Sequence, residues 1–340
     1  MPSRCRPLRF IRRYTQRRVT YQPGVYILAY HAIVDAAHAE KWEIAYDGGA
    51  VSLSHFEQQV AHLCREMVPV TLTKAFELMA GGDLDQPYFA ITFDDGFSNV
   101  LKNAAPVVAR CGVRPCLFVN GRMAQGQHVY YRILAALLTR SGHAAELRSE
   151  LMAHDHRTAW QCDPHELFNQ TKDCYTPGLM EDAVEGAYVR CLGEPAALGV
   201  HLNPGQIRRL QSEGWEIGNH TFDHQLLSRL NEQQIAETIA RNETFLRAER
   251  IPLVEALAIP NGAVRDVNEH LNAWLQKHKS VHALFCNGGM NVKYDRTQCL
   301  RLFGGNGDER SLQDKICAEV NRVNRYWKQV ERTKRTNRYV

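Results

Sequence analysis

The chain has 340 residues, 44% of them hydrophobic, and a net charge of +4, which is ample for a large core and fits one sizeable barrel or two domains. Its longest apolar runs, such as Val25 to Tyr30, fall short of the ~20 residues a membrane span needs, and the N-terminus carries no apolar segment of signal-peptide type. Ten cysteines scattered without tight pairing point the same way, so a cytoplasmic protein is expected.

The small net charge conceals an asymmetry. Residues 1–20 hold seven arginines and no acid, and residues 321–340 hold seven Lys/Arg against Glu331, so the two tails carry +13 and the body −9. Basic ends suit an anionic surface, and peripheral contact with the inner membrane is the expectation drawn from them; solvated ends that bind nothing in particular are the plainer alternative. Nucleic acid is not an expected partner. The tail aromatics Phe10, Tyr14, Tyr326 and Trp327 are accompanied by no recognisable nucleic-acid module.

Strand-like and helix-like segments alternate along most of the chain, which predicts an α/β protein with a mostly parallel sheet. Val25–Tyr30 reads as the first strand and ends at His31. Ser54-His55-Phe56-Glu57 has the form of a capping box, opening a helix whose apolar face is Phe56, Val60, Leu63 and Met67. Strands are predicted over 68–72, 88–93 and 114–119, with a helix over 98–110. From 121 to 202 the pattern turns helical without a clear strand, as in Tyr131 to Leu138, and this segment is expected to be an insertion acting as a lid or cap. His154, His156, Cys162, His165, Cys174 and Cys191 within it match no established zinc spacing. Regular alternation resumes at Asn203-Pro204, an N-cap followed by proline at the first helical position. A short strand near 215–217 and a long helix carrying Ile235, Ile239, Asn242 and Leu246 follow. Further strands are expected over 254–259, 281–285 and 299–303.

Two strand ends carry chemistry. Ile91-Thr92-Phe93-Asp94-Asp95-Gly96 closes a buried strand with adjacent carboxylates, and neighbours on a regular strand point to opposite faces. For both to reach one site the chain must bend there, and Gly96 permits such a turn. A helix-capping aspartate is the plain alternative. The second end is His220-Thr221-Phe222-Asp223-His224, directly after Trp215-Glu216-Ile217. Histidines at i and i+4 share one face of a helical turn, and in a parallel barrel all such ends open on one face. Asp95, His220 and His224 would then make a two-histidine, one-carboxylate metal site with open positions, suited to hydrolysis of a polarised carbonyl.

Thr92-Phe93-Asp94-Asp95-Gly96, then Glu216 to His224, then Ala258-Ile259-Pro260-Asn261-Gly262 resemble the ordered motifs of the polysaccharide deacetylases, the NodB-homology or carbohydrate esterase family 4. The resemblance covers roughly Val25 to Val323 with the insertion outside it. Ala29-Tyr30-His31-Ala32-Ile33 and the segment 51–72 are similar to the subgroup acting on poly-N-acetylglucosamine. The resemblance implies a distorted (β/α) barrel of about seven strands, occupying residues 21–120 and 203–320 between a basic tail at 1–20, the helical insertion at 121–202 and a second basic tail at 321–340. It implies metal-dependent removal of N-acetyl groups from an amino sugar in a polysaccharide or lipid-linked saccharide. Asp94 matches the catalytic base, Asp95, His220 and His224 match the ligands of a divalent ion, with Zn2+ expected, and backbone near Asn261 and Gly262 would face the oxyanion.

Two departures stand out. The arginine that usually lies two residues before the motif proline and orients the base is Ala258 here, with Asn261 in place of the following aromatic; Arg301, in the last strand, is expected to take over. The family's late histidine, the general acid, has no counterpart after Phe303, and His31 is expected to replace it, as the N-terminal histidine does in the poly-N-acetylglucosamine subgroup. These losses also fit a non-catalytic carbohydrate-binding or scaffold barrel. A metal-dependent amidase or deformylase on another substrate would use the same ligands.

Overall fold

The structure is a computed structural model that describes residues 21–35, 49–82, 84–156, 158–263, 266–285, 290–291, 299–305 and 307–319. Both basic tails fall outside these residues, and so does the membrane contact expected of them. Among the described residues, no helix is long and apolar enough to cross a membrane, and the cysteines are free thiols.

The strands, in chain order, are β1 (Gly24–Tyr30), β2 (Ile33–Val34), β3 (Val51–Ser52), β4 (Val68–Pro69), β5 (Pro87–Phe93), β6 (Cys116–Val119), β7 (Glu216–Asn219), β8 (Ala256–Ala258), β9 (His282–Phe285), β10 (Met290–Asn291), β11 (Cys299–Leu300) and β12 (Leu302–Phe303). All but β2 and β3 join one ten-stranded sheet whose central order is β1-β5-β6-β7-β8-β9-β11, with those neighbours parallel. β12 returns to pair parallel with β1, and β10 lies antiparallel on it. Residues 299–303 therefore close the ring: Cys299 and Leu300 pair with β9, and Leu302 and Phe303 pair with β1. This is the distorted (β/α) barrel.

β1 is buried along its whole length and β5 from Tyr88 onward, as parallel strands covered on both faces must be. Val25 and Ile27 of β1, Ala90 of β5, Cys116 and Phe118 of β6, Ala256 and Ala258 of β8, Leu284 and Cys299 form the inner cluster. The alternate residues Tyr26, Leu28, Phe89, Ile91, Leu117 and Ile217 face the surrounding helices. Gly218 lets Phe118 fill the lumen, because a Cβ there would lie 2.3 Å from the Phe118 ring.

Several boundaries differ from the sequence expectation. The first helix runs Leu53–Glu66 with Ser52 as its N-cap, accepting from the His55 amide, so the cap precedes the predicted box. Val68–Pro69 is a stub, and Thr71 caps a helix over Leu72–Gly81 that the β-rich run 68–72 concealed. Its residues Leu72, Ala75, Phe76 and Met79 join the inner cluster. Its first amides donate to the Glu216 carboxylate at the start of β7, and Phe76 stacks on His282 at the start of β9. The helix thus closes the barrel at the end where strands begin. The predicted helix 98–110 opens as a π-helical turn, Val100–Ala104, before Ala105–Arg110. Between β6 and β7 the described chain forms the helices Gly121–Ala124, Tyr131–Arg140, Ala144–His154, Pro164–Asp173 and Leu179–Leu192. Asn203 caps Pro204–Ser212 in a reciprocal capping box with Gln206.

Candidate metal centre and base

The carboxyl ends of β1, β5 and β7 and the end of the closing segment meet opposite the plugged mouth. β5 holds its register through Asp94, whose amide donates to the Tyr30 carbonyl at 2.9 Å. The bend then falls on Asp95 itself, at φ 67°, and continues in Gly96 at φ 62°. A left-handed aspartate is strained, and it is this turn that carries both neighbouring carboxylates to one site.

Asp94 sits at the seam of the barrel. Arg301 Nη1 and Nη2 donate to its two carboxylate oxygens at 2.7 and 2.8 Å, and Nη1 also lies 3.2 Å from Thr92 Oγ1. The guanidinium is 0% exposed and the carboxylate 3%, with the Phe118 ring 5.5 Å from the guanidinium carbon. Burial pushes the Asp94 carboxyl up, but Arg301 and, behind it, His220 outweigh that and hold it below the usual carboxylate range. On the solvent side, His31 Nε2 is 3.9 Å from Asp94 Oδ2, with 27% of its side chain exposed. Its ring meets Phe303 edge-on at 5.6 Å.

Asp95 faces the two histidines. Nε2 of His220 and Nε2 of His224 each lie 3.2 Å from Asp95 Oδ1, and the ligand atoms of the three residues fall within 4.8 Å of one another. No other group of three such side chains comes together among the described residues. Among the described residues, His154, His156, Cys162, Cys174 and Cys191 of the insertion form no metal cluster; the His165 side chain lies outside them. His220 Nδ1 must donate to the Ala258 carbonyl at 2.8 Å, since a carbonyl only accepts, and this turns the Nε2 lone pair toward Asp95. Burial brings His224 down to about 4, so it too presents a lone pair at neutral pH. Burial pushes the His220 ring down as well, but Asp94 and Asp95 beside it raise it; burial raises Asp95, yet the histidines hold it well below the carboxylate range. Asp95 Oδ1 is buried without a hydrogen-bond partner among the described residues. One carboxylate oxygen and two imidazole lone pairs converging on one point are satisfied together by a cation, so the donor set fits a divalent metal.

The loop that presents the histidines is not helical. Thr221 and His224 both have positive φ, 64° and 56°, and the i, i+4 pair converges through these two reversals. Three asparagines hold them. Asn219 Oδ1 accepts from the Thr221 amide and from Asn242 Nδ2, Asn242 Nδ2 also reaches the Val119 carbonyl, and Asn120 Nδ2 donates to the carbonyls of His220 and Thr221. The Gly121 amide donates to Asn242 Oδ1 at 2.8 Å, and a Cβ on Gly121 would lie 2.8 Å from that oxygen and from the Phe222 ring. None of Asn120, Asn219 or Asn242 was identifiable as a site residue from the sequence; the one available signal was a polar Asn242 on the buried face of a helix.

Asn261 and Gly262 form the turn after β8, both left-handed at φ 61° and 62°. Among the described residues no hydrogen bond joins either to Asp94 or to the three convergent ligands. Their link to the site is the strand they follow, whose Ala258 carbonyl orients His220.

A parallel barrel with buried acids and imidazoles gathered at its strand ends carries them on the face where barrel enzymes hold their active sites. Residues 190–279 match the family model of polysaccharide deacetylase. Solved structures with this fold include the Streptococcus pyogenes deacetylase PplD in complex with acetate, at 14% identity over 86% of this chain and 98% of that one, TM-score 0.56. IcaB from Ammonifex degensii is similar at 16% identity over 87% and 97%, TM-score 0.55, and a de-N-acetylase from Aggregatibacter actinomycetemcomitans at 14% over 86% and 99%, TM-score 0.53. No curated protein matches the sequence. The polysaccharide deacetylase model thus matches the second half of the barrel, and the fold is shared with these deacetylase structures along most of the chain.

Proposed function

We propose that this protein hydrolyses the acetamide of an N-acetylated amino sugar, releasing acetate and a free amine, with Asp94 as the base. The observation that supports this most is the bidentate pair between Arg301 and Asp94 beside the Asp95, His220 and His224 donor set. A zinc ion held by Asp95, His220 and His224 would polarise the acetamide carbonyl and acidify water near it. Asp94 takes the proton from the attacking water, and its ionised state is maintained by Arg301, which also fixes the carboxylate plane. Two adjacent ionised carboxylates repel, so the charges around them divide the work: Asp94 pairs with Arg301, and Asp95 faces the histidines. His31, within 3.9 Å of Asp94 and open to solvent, hands a proton to the departing amine. Amide donors of the Asn261–Gly262 turn stabilise the oxyanion of the tetrahedral intermediate.

The sugar is proposed to belong to a lipid-linked or polymeric saccharide presented at an anionic membrane surface, to which the basic tails bring the protein. Removal of formyl or acetyl groups from another substrate would use the same atoms. The deciding experiment measures stoichiometric metal in the purified protein and acetate released from N-acetylglucosamine oligomers, against His220→Ala. Metal and release are both expected in the parent and both lost in the variant. Bound metal with no release from any acetylated sugar overturns the substrate, and absence of metal from the active parent overturns the mechanism.

A further inference from the structure

The segment 121–202 is stitched to the metal site at both ends. Its C-terminal end runs beside the turn that follows Asp95: Ser98 donates to the Val200 carbonyl at 2.8 Å and Leu202 to the Gly96 carbonyl at 2.8 Å, with Phe97 and His201 forming an antiparallel bridge. The His201 ring stacks on Phe97 at 5.2 Å and 23°. From there Nδ1 reaches the backbone carbonyl of Asp95 at 3.0 Å, and the Tyr130 amide approaches Nε2 at 3.4 Å. The chemistry of the partners assigns the tautomer. A carbonyl only accepts, so Nδ1 carries the hydrogen, and an amide only donates, so Nε2 offers its lone pair. Tyr130 is the N-cap of the helix Tyr131–Arg140, and its ring packs on His224 at 4.5 Å.

We propose that His201 is a positioning residue that holds Asp95 in its left-handed turn and ties that turn, through Tyr130, to the wall over His224. The inference rests on the metal-site reading above. Asp95 at φ 67° keeps a strained backbone only where its surroundings over-determine it, and the His201 hydrogen bond acts on the very peptide that sets the direction of Oδ1. The same imidazole accepts from the N-cap of the helix Tyr131–Arg140, so segments near both ends of 121–202 contribute to one ligand shell. The insertion is thereby part of the metal site and not an appendage to the barrel.

The test is zinc affinity by competition with a chromophoric chelator, which needs no substrate. His201→Phe keeps the stack on Phe97 and removes both nitrogens; it is expected to weaken zinc roughly 10–100-fold, the scale on which groups supporting a metal ligand act, with the circular dichroism and melting of the metal-free protein unchanged. His201→Gln, which can donate and accept, is expected to recover most of the affinity. Asp95→Ala is the reference for loss of the site. Parent-like zinc affinity in His201→Phe together with loss in Asp95→Ala overturns the role of His201 alone. Parent-like affinity in both variants overturns the metal site as well. Equal loss in His201→Phe and His201→Gln, with a lowered melting point in each, assigns His201 to folding and overturns the positioning role.

Discussion

Arg301 and Asp94 form a two-point ion pair, 2.7 and 2.8 Å, across 207 residues of sequence, and the pair lies where the barrel closes. Removing one partner of a buried pair leaves the other charge uncompensated, which costs roughly 3–5 kcal/mol. Arg301→Met is therefore expected to melt well below the parent. The double variant Asp94→Asn/Arg301→Met should recover much of that loss, as a double-mutant cycle by thermal or urea unfolding will measure.

The same pair sets a pH dependence. With Arg301 present, the Asp94 carboxyl stays below the usual carboxylate range, so the proposed base remains ionised, and activity is expected to persist, down to acid pH. Without the guanidinium, burial dominates and raises the carboxyl. The acid limb of the kcat/KM profile in Arg301→Met should move to higher pH; a limb that stays in place removes Asp94 from the role of base.

Asp94→Asn keeps the shape of the side chain and discards its basicity. Metal content should be unchanged, since Asp95, His220 and His224 remain, while turnover falls at least ~10²-fold. Near-normal turnover would sink the assignment.

His31 is tested through the leaving group. A sugar amine must be protonated as it departs, whereas the phenolate of an activated aryl acetate departs unaided. His31→Ala should lose ~10²–10⁴-fold on the acetamide and little on the aryl ester. Equal losses on both substrates would assign His31 to binding instead.

The basic tails are tested separately from the chemistry. Deletion of residues 1–20 and 321–340 is expected to abolish co-flotation with anionic vesicles and to leave hydrolysis of a soluble oligomer intact. Undiminished flotation would remove the basis of the membrane proposal.

What the sequence discloses about this site follows the range of the forces involved. β1 and β5 are legible because both faces are buried and their residues are uniformly apolar, and the carboxylates after Phe93 stand out against that background. The convergence of His220 and His224 is also legible in their spacing, although the expected helical turn is instead a loop with left-handed Thr221 and His224. The asparagines that impose those reversals come from β7, the end of β6 and a distant helix, and no local pattern announces them. Arg301 is visible only as the answer to a vacancy at Ala258, because nothing near it in sequence touches Asp94. His201 and Tyr130 escape notice for a further reason: a helical insertion reads as separate from the barrel, while its two ends are the parts that enter the site. Helix Leu72–Gly81 is hidden by the β-prone residues around its Thr71 cap.

The closing segment has a consequence for how the protein comes into being. Asp94 leaves the ribosome early, and its counter-charge arrives more than two hundred residues later, on the strand that pairs with β9 on one side and β1 on the other. Until then the carboxylate has no cation to share its burial, and contacts of such sequence separation form slowly. Completion of the ring and pairing of Asp94 are one event, so a nascent or truncated chain ending before residue 301 carries Asp95, His220 and His224 without the guanidinium that keeps the proposed base ionised.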